Sequence, residues 1–388
     1  MLAVAQTATS PVLEDDGVIN PAQLVPDPTL SELPEHVLWG ERTAQSQRHF
    51  AIGSQRMPAE LVRALAWLSW ADAGVKAEMG LLAPVRARRR TKAAERVADG
   101  AFDDEFPLSV WQSGSGHETL DNFDEVMTQL GRPSLRNPPQ LVGAEPLPEP
   151  DDHASSHDDA FLVAVHLAVA LQAKARLIPA HRQLRNVLAM QAIRRFNTAA
   201  PADPQERQER QVRQTSWVRE LGRCDARLAS CGTGFDQALA AVYALPLASG
   251  LSSGPASFQA RVASRLSARL ALPLVCADDS LVALAGREAL VALHGQLAML
   301  AIELARLGRR VTGMSSQTST PRCGPAQSQS LAMICAQVVG HQAAISFAAS
   351  QSEPEQDTFK PLLALNILDS QRLLADSMHS FARHGFED

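Results

Sequence analysis

Aromatic residues are scarce in this 388-residue chain: they make up 5% of it, with a single tyrosine, Tyr243. Sheets draw on aromatic and β-branched side chains, whereas the abundant alanine and leucine here are strong helix formers, so composition points to an all-α protein. Cysteine is also sparse. The five (Cys224, Cys231, Cys276, Cys323 and Cys335) are odd in number and include no CxxC pair. They read as free thiols in a reducing compartment, not as a disulfide framework. A large charge imbalance is missing as well, and a net charge of −6 gives no reason to expect nucleic acid or an anionic membrane as a partner. Met1 to Ser10 lack a basic n-region, so a secretory signal is not expected. No run approaches about 18 uninterrupted apolar residues, so no membrane-spanning helix is expected and the location read from the sequence is cytoplasmic.

What is present is a chain long enough for a large core and two or three domains, with 45% hydrophobic and 20% charged residues. Residues 1–35 mix proline, acids and small residues without a period and read as a flexible arm. From Pro58 to about Ala101 the Leu61, Leu65, Leu68 spacing predicts two helices, broken at Gly80 and Pro84 and stopped at Gly100. The basic run Arg86 to Lys92 has no interleaved aromatics and reads as a solvated helix face. Gly131 to Asp152 is a proline-rich loop that separates an N-terminal domain (36–150) from a second, helical one (151–388). Ser156-His157-Asp158-Asp159 has the form of a capping box before the apolar run Phe161 to Leu171, and that helix is expected to continue to about Arg195 despite Pro179. Ala199 to Arg213 reads as a surface insert. Helices are expected at Phe258–Leu270, Ser280–Leu307, Gln327–Ser350 and Lys360–Arg383. In the second of these, Leu281, Leu284, Ala285, Glu288 and Ala292 share one stripe. Long helices with wide apolar faces and no cofactor motif point to a bundle completed by other copies.

The stretch Trp111-Gln112-Ser113-Gly114-Ser115-Gly116 carries the chemistry. Two glycines leave the backbone open and two serines add hydroxyl donors, so the turn can present several N–H and O–H groups to a carboxylate. With the preceding Phe102-Asp103-Asp104-Glu105-Phe106-Pro107-Leu108-Ser109-Val110, it closely resembles the class II fumarases. The resemblance continues in Leu38-Trp39-Gly40-Glu41-Arg42-Thr43, Phe50 to Pro58, Leu177-Ile178-Pro179-Ala180, and Arg287 to Gly295. It extends to Met333-Ile334-Cys335-Ala336-Gln337-Val338-Val339-Gly340, Phe359-Lys360-Pro361, and Ser370 to Asp376. It implies the fumarase/aspartase fold, an all-α long-helix bundle whose central domain tetramerises, with each active site drawing residues from three subunits. It also implies a small dicarboxylate (fumarate or malate) as substrate, no cofactor and no metal. The family's small C-terminal domain is expected to be absent here.

The resemblance also shows where the chain departs from its pattern. The family takes its base from a Gly-Ser-Ser loop that continues to a lysine and an asparagine. Counting back from Cys335-Ala336-Gln337 without gaps puts the base serine on Gln317, the lysine on Arg322 and the asparagine on Gly324; a one-residue slip puts Ser316 in the base role. An amide cannot serve as that base, and arginine keeps the charge of lysine with a different geometry. The segment matching the family's Thr-His motif lies within Ala200-Pro201-Ala202-Asp203, where Pro201 has no titratable group, and the acidic partner of that histidine maps to Gln329. Ser115 and Gly116 match the substrate-binding turn. His117 replaces a threonine, Leu120-Asp121-Asn122 replaces Asn-Met-Asn, and Ser156-His157-Asp158 replaces a Ser-Ser-Asn contact. Asp158 brings an anion toward a dianionic substrate. His117 or His157 can offset that if protonated, or replace the missing acid, the alternative being that both are polar loop residues. His153 and His157 stand four residues apart amid carboxylates, as zinc ligands on a helix do, but the expected cap at Ser156 puts His153 before the helix. Two readings follow: a fumarase-like chain whose activity is lost or altered, acting as a homo-oligomer, or a non-catalytic subunit in a hetero-oligomer with a competent fumarase paralogue.

Overall fold

The computed structural model describes residues 37–132, 157–196, 204–247, 257–278, 287–315, 325–351 and 358–386. Its helices are α1 (Glu41–His49), α2 (Ala59–Glu78), α3 (Pro84–Ala98), α4 (His117–Gly131), α5 (His157–Gln172), α6 (Ile178–Phe196), α7 (Pro204–Val242), α8 (Ser257–Leu270), α9 (Glu288–Ser315), α10 (Pro325–Ser350) and α11 (Lys360–His384). The sheet content of the described residues is one two-residue parallel pair, β1 (Ala244–Leu245) with β2 (Val275–Cys276). The fold is all-α.

Residues Phe161 to Ala170 of α5 are buried without interruption, so this helix is surrounded on all sides, as an unbroken apolar run demands. It packs on α2, whose Leu61, Leu65 and Leu68 are buried at the spacing that predicts the helix. The break between α2 and α3 falls at Gly80, in the left-handed region at φ +73°, and at Pro84, the first residue of α3. Arg86, Arg88 and Arg89 of the basic run are exposed on α3.

The pairs α6–α7, α7–α9, α9–α10 and α10–α11 build the long-helix bundle. Pro179 does not end its helix. A five-residue π segment, Ala173–Leu177, precedes it, and widening this turn accommodates the pyrrolidine ring, whose clash would fall on the carbonyl four residues back.

Three local expectations need correction. The segment read as an insert through Arg213 is helical from Pro204, and α7 runs 39 residues. Proline at the first helical position loses no hydrogen bond, and the Gln, Glu and Arg that follow are strong helix formers, aided by the 3.2 Å pair Arg213–Glu209 one turn apart. Of the residues expected to share one stripe, Leu281, Leu284 and Ala285 lie outside the described residues, Glu288 and Ala292 are exposed on α9, and the buried stripe of α9 is Leu290, Leu293, Leu297, Leu300 and Leu304. Finally, counting uninterrupted apolar runs misses three helical spans, Ala160–Arg194, Glu288–Gly313 and Ala326–Ser350, that are long and apolar enough to cross a membrane by length and composition. In the first, 72% of the most apolar window is buried inside the chain; in the third, only 33% is. Helix α10 therefore leaves much apolar surface uncovered by its own chain, including Met333, Val339 and Phe347, beside Met299 and Ile302 of α9.

Candidate active site

Backbone pairing fixes how the Gly/Ser turn is entered. Arg56 and Ser109 form an antiparallel bridge, Val110 N–H donates to Gln55 O at 3.0 Å, and Met57 N–H donates to Leu108 O at 3.1 Å. Ser109 Oγ donates to Ile52 O at 2.7 Å and accepts from Trp111 N–H at 3.1 Å. Gln112 then folds back. Its Nε2 donates to Ser109 O at 2.8 Å, while its Oε1 accepts from Thr119 N–H at 3.0 Å and Thr119 Oγ1 at 2.9 Å, satisfying a donor in the first turn of α4.

Two glycines let this turn sit where it does. Gly116 lies in the left-handed region at φ +77°, and a Cβ there would stand 2.4 Å from the Phe161 ring of α5. A Cβ on Gly114 would meet backbone atoms of Thr358 and Phe359 at 2.8 and 2.9 Å, and Gly114 O accepts from Lys360 N–H at 2.9 Å. Phe359 itself has φ +75°, a strained conformation for an aromatic residue. Behind this contact lie two buried cationic residues, Lys360 (1% exposed) and Arg287 (2%), whose Nη1 donates to Thr358 O at 2.9 Å. The Gln-Ser-Gly-Ser-Gly turn and the Phe-Lys-Pro segment, far apart in sequence, thus form one wall.

The hydroxyls of the turn point along a defined chain. Ser113 Oγ donates to the Glu118 carboxylate, Ser113 Oγ and Ser115 Oγ lie 3.0 Å apart, and Ser115 Oγ accepts from His117 N–H at 3.3 Å. With the Ser113 proton given to Glu118, Ser115 is the donor between the two serines. Nearby, Asp121 is paired with Arg42 and stands 3.6 Å from His117 Nε2. Glu125 gathers the start of α1, accepting from Gly40 N–H at 2.7 Å, Arg42 N–H at 3.0 Å, and Thr43 N–H and Oγ1 at 3.2 and 2.7 Å.

Of the residues singled out from sequence, Ser115, Gly116 and His117 come together here, with His117 opening α4 instead of lying in a loop. His157 and Asp158 open α5, one helical turn before the Phe161 that touches Gly116, and their side chains lie outside what the structure describes. Ser156, Ser316 and Arg322 lie outside the described residues, as do Gln317, Gly324, Pro201 and His153. Gln329 is exposed in the first turns of α10. Glu118 is the site residue that sequence reading passes over. Its signal was available, since Ser115-Gly116-His117-Glu118 has the Ser-x-x-Glu form of a helix start.

A second polar assembly lies within the bundle. His294 on α9 is fully buried, with Nδ1 2.7 Å from Gln342 Oε1 and Nε2 2.8 Å from Ser370 Oγ. Ser370 Oγ lies 2.9 Å from His341 Nδ1, and His341 Nε2 lies 2.8 Å from Gln337 Nε2. Gln342 Nε2 donates to Ser346 Oγ at 3.0 Å, which orients its amide. One direction satisfies every atom: Gln337 donates to His341, His341 to Ser370, Ser370 to His294, and His294 to Gln342. Both rings are neutral in this chain. Desolvation lowers the His294 pKa to about 4 against its hydrogen bond to Gln342, and burial lowers that of His341. His166 in α5 is likewise held down to about 4 by burial, its Nδ1 3.1 Å from Val242 O.

Known proteins resemble this chain over most of its length. The Lyase family matches residues 31–340. Among relatives, a class II fumarate hydratase of Pseudomonas aeruginosa is 34% identical over 91% of this chain and 80% of its own length. That of Thermosynechococcus vestitus is 33% identical over the same shares. The chain belongs to the class II fumarase family. The class II fumarase of Schistosoma mansoni superposes with a TM-score of 0.77 at 25% identity, covering 92% of this chain and 82% of that one. A fumarate lyase:delta crystallin of Brucella melitensis, at 21% identity and a TM-score of 0.74, shares the fold.

Proposed function

We propose that this chain is a class II fumarase scaffold on which the family reaction, reversible hydration of fumarate to L-malate, is lost or altered. In reverse, that reaction removes a weakly acidic carbon proton and leaves an enolate-like dianion beside a second carboxylate. It needs donors and cations aimed at the developing charge, and a base and an acid of suitable pKa. The observation that carries the reading is a mismatch between scaffold and chemistry. The turn packs against Thr358 and Phe359, the latter held at φ +75°, while no titratable side chain stands at Gln317 or Gln329, the positions the resemblance assigns to the base and the acidic partner, or at Pro201 in the segment that matches the histidine.

The uncovered apolar faces of α9 and α10 support an oligomer in which this helix pair packs on other copies, as in the family's tetramer. The same face suits a second reading, a non-catalytic assembly or regulatory subunit that packs on a competent fumarase. Absorbance of fumarate, followed after adding fumarate or L-malate to purified protein whose size-exclusion trace shows a folded oligomer, tests the first reading. The expected result is no interconversion. Turnover that disappears in Arg322→Ala overturns it and assigns the loop a working role. Co-purification of a full-length fumarase with the tagged chain from its native host supports the second reading, and homo-oligomers alone count against it.

A further inference from the structure

We infer that Glu118 is a specificity-determining residue: it takes the hydrogen-bond donors of the Ser113–Ser115 turn, so that the turn accepts a donor group, an amide or ammonium, in place of a ligand carboxylate. The inference rests on the proposed fumarase scaffold, takes its Gly/Ser turn as the ligand site that the resemblance implies, and names the class of ligand.

Ser113 Oγ gives its proton to Glu118, and Ser115, 3.0 Å away, gives its proton to Ser113. Both hydroxyl protons therefore run inward to one carboxylate of the same chain. A third donor, His117 N–H, is directed to Ser115 Oγ at 3.3 Å, and Gly116 N–H to Ser113 O at 3.2 Å. What the side chains of the turn then offer is serine lone pairs and a negative charge, which are acceptors. The helix dipole reinforces this. Glu118 sits in the first turn of α4, where the dipole favours an anion, and it supplies that anion itself. It is not needed to cap Thr119, whose N–H already goes to Gln112 Oε1 at 3.0 Å. A dicarboxylate arriving at this turn would meet a carboxylate where it needs donors, whereas its half-amide would meet acceptors for its N–H groups.

Calorimetric titration of the assembled protein with succinate and with succinamate, which differ only in one carboxylate, tests this. The wild-type chain is expected to bind succinamate at least about tenfold more tightly than succinate, a modest discrimination for a like-charge contact. Glu118→Ala frees both hydroxyl protons and is expected to reverse that order. Glu118→Gln keeps the shape, removes the charge, and is expected to shift the ratio toward succinate by about tenfold should the alanine variant fail to fold. Equal preference in the wild-type chain and both variants, or no binding of either probe by any of them, overturns the inference. A wild-type chain that hydrates fumarate sinks the loss-of-reaction reading instead, and the probe ratio still reports on Glu118 independently.

Discussion

Acid should weaken this protein through two buried imidazoles before it reaches the carboxylates. His166 and His294 are 2% and 0% exposed, and burial brings each pKa down to about 4. An unfolded histidine titrates near about 6.5. Between those values the unfolded chain binds protons that the folded chain refuses, so stability is complete above about pH 6.5 and falls as pH drops toward 4. Linkage over that interval gives a loss of about 2 kcal/mol per ring at pH 5, hence about 4 kcal/mol for the pair. Protonating His294 has a structural cost of the same sign, because its Nε2 lies 2.8 Å from Ser370 Oγ, which already accepts from His341 at 2.9 Å. Urea unfolding followed by circular dichroism at about pH 7.5 and about pH 5, at one fixed protein concentration, measures this loss. His294→Gln removes one of the two titrating rings, so its loss should be smaller by about 2 kcal/mol. A midpoint that does not move with pH, or an undiminished shift in His294→Gln, refutes the reasoning.

Three further outcomes follow from the geometry. Ser370→Ala strands the buried His294 Nε2, at about 1–3 kcal/mol, and the half-buried His341 Nδ1–H at less, so its urea midpoint should fall below that of Ser377→Ala, whose hydroxyl donates to Leu374 O within α11; equal midpoints would contradict the network. Gly116→Ala places a methyl group 2.4 Å from the Phe161 ring at φ +77° and should lower stability by about 2 kcal/mol or more, visible as a lower melting temperature; a neutral result would mean the turn does not sit against α5. Met333→Arg and Phe347→Glu alter side chains that are 69% and 58% exposed in one chain. They should shift size-exclusion elution toward smaller species with helicity retained, and an unchanged oligomer would place the interface elsewhere.

Local periodicity made most of the helices legible. Leu61, Leu65 and Leu68 mark the inner face of α2, Gly80 and Pro84 separate it from α3, and Phe161 to Leu171 announces a central helix. The misreadings have physical sources. Pro204 looked like an interruption because proline breaks helix interiors, yet at the first position it costs nothing. In α9 the stripe through Glu288 and Ala292 is exposed, because the leucines, Leu290 and Leu293 among them, take the opposite face. At the site, the Gly/Ser turn was legible because its chemistry is local. That it rests against Thr358–Lys360 was not, since only packing brings the two segments together. The His294–Ser370–His341 chain spans three helices, and no spacing in one segment encodes it. Glu118 was visible as a helix-start residue, but its grip on Ser113 depends on how the turn folds back.

The central claim, a fumarase scaffold without the family's hydration chemistry, is tested most directly by proton exchange. The purified oligomer is incubated with L-malate in deuterium oxide, and the carbon-bound protons beside the hydroxyl-bearing carbon are followed by NMR. This detects even slow removal of the proton that the family's base abstracts. The account predicts malate signals that keep their intensity, with no vinyl signal of fumarate. Loss of one of those protons to deuterium, with fumarate appearing alongside, would show that a working base remains and would contradict the claim.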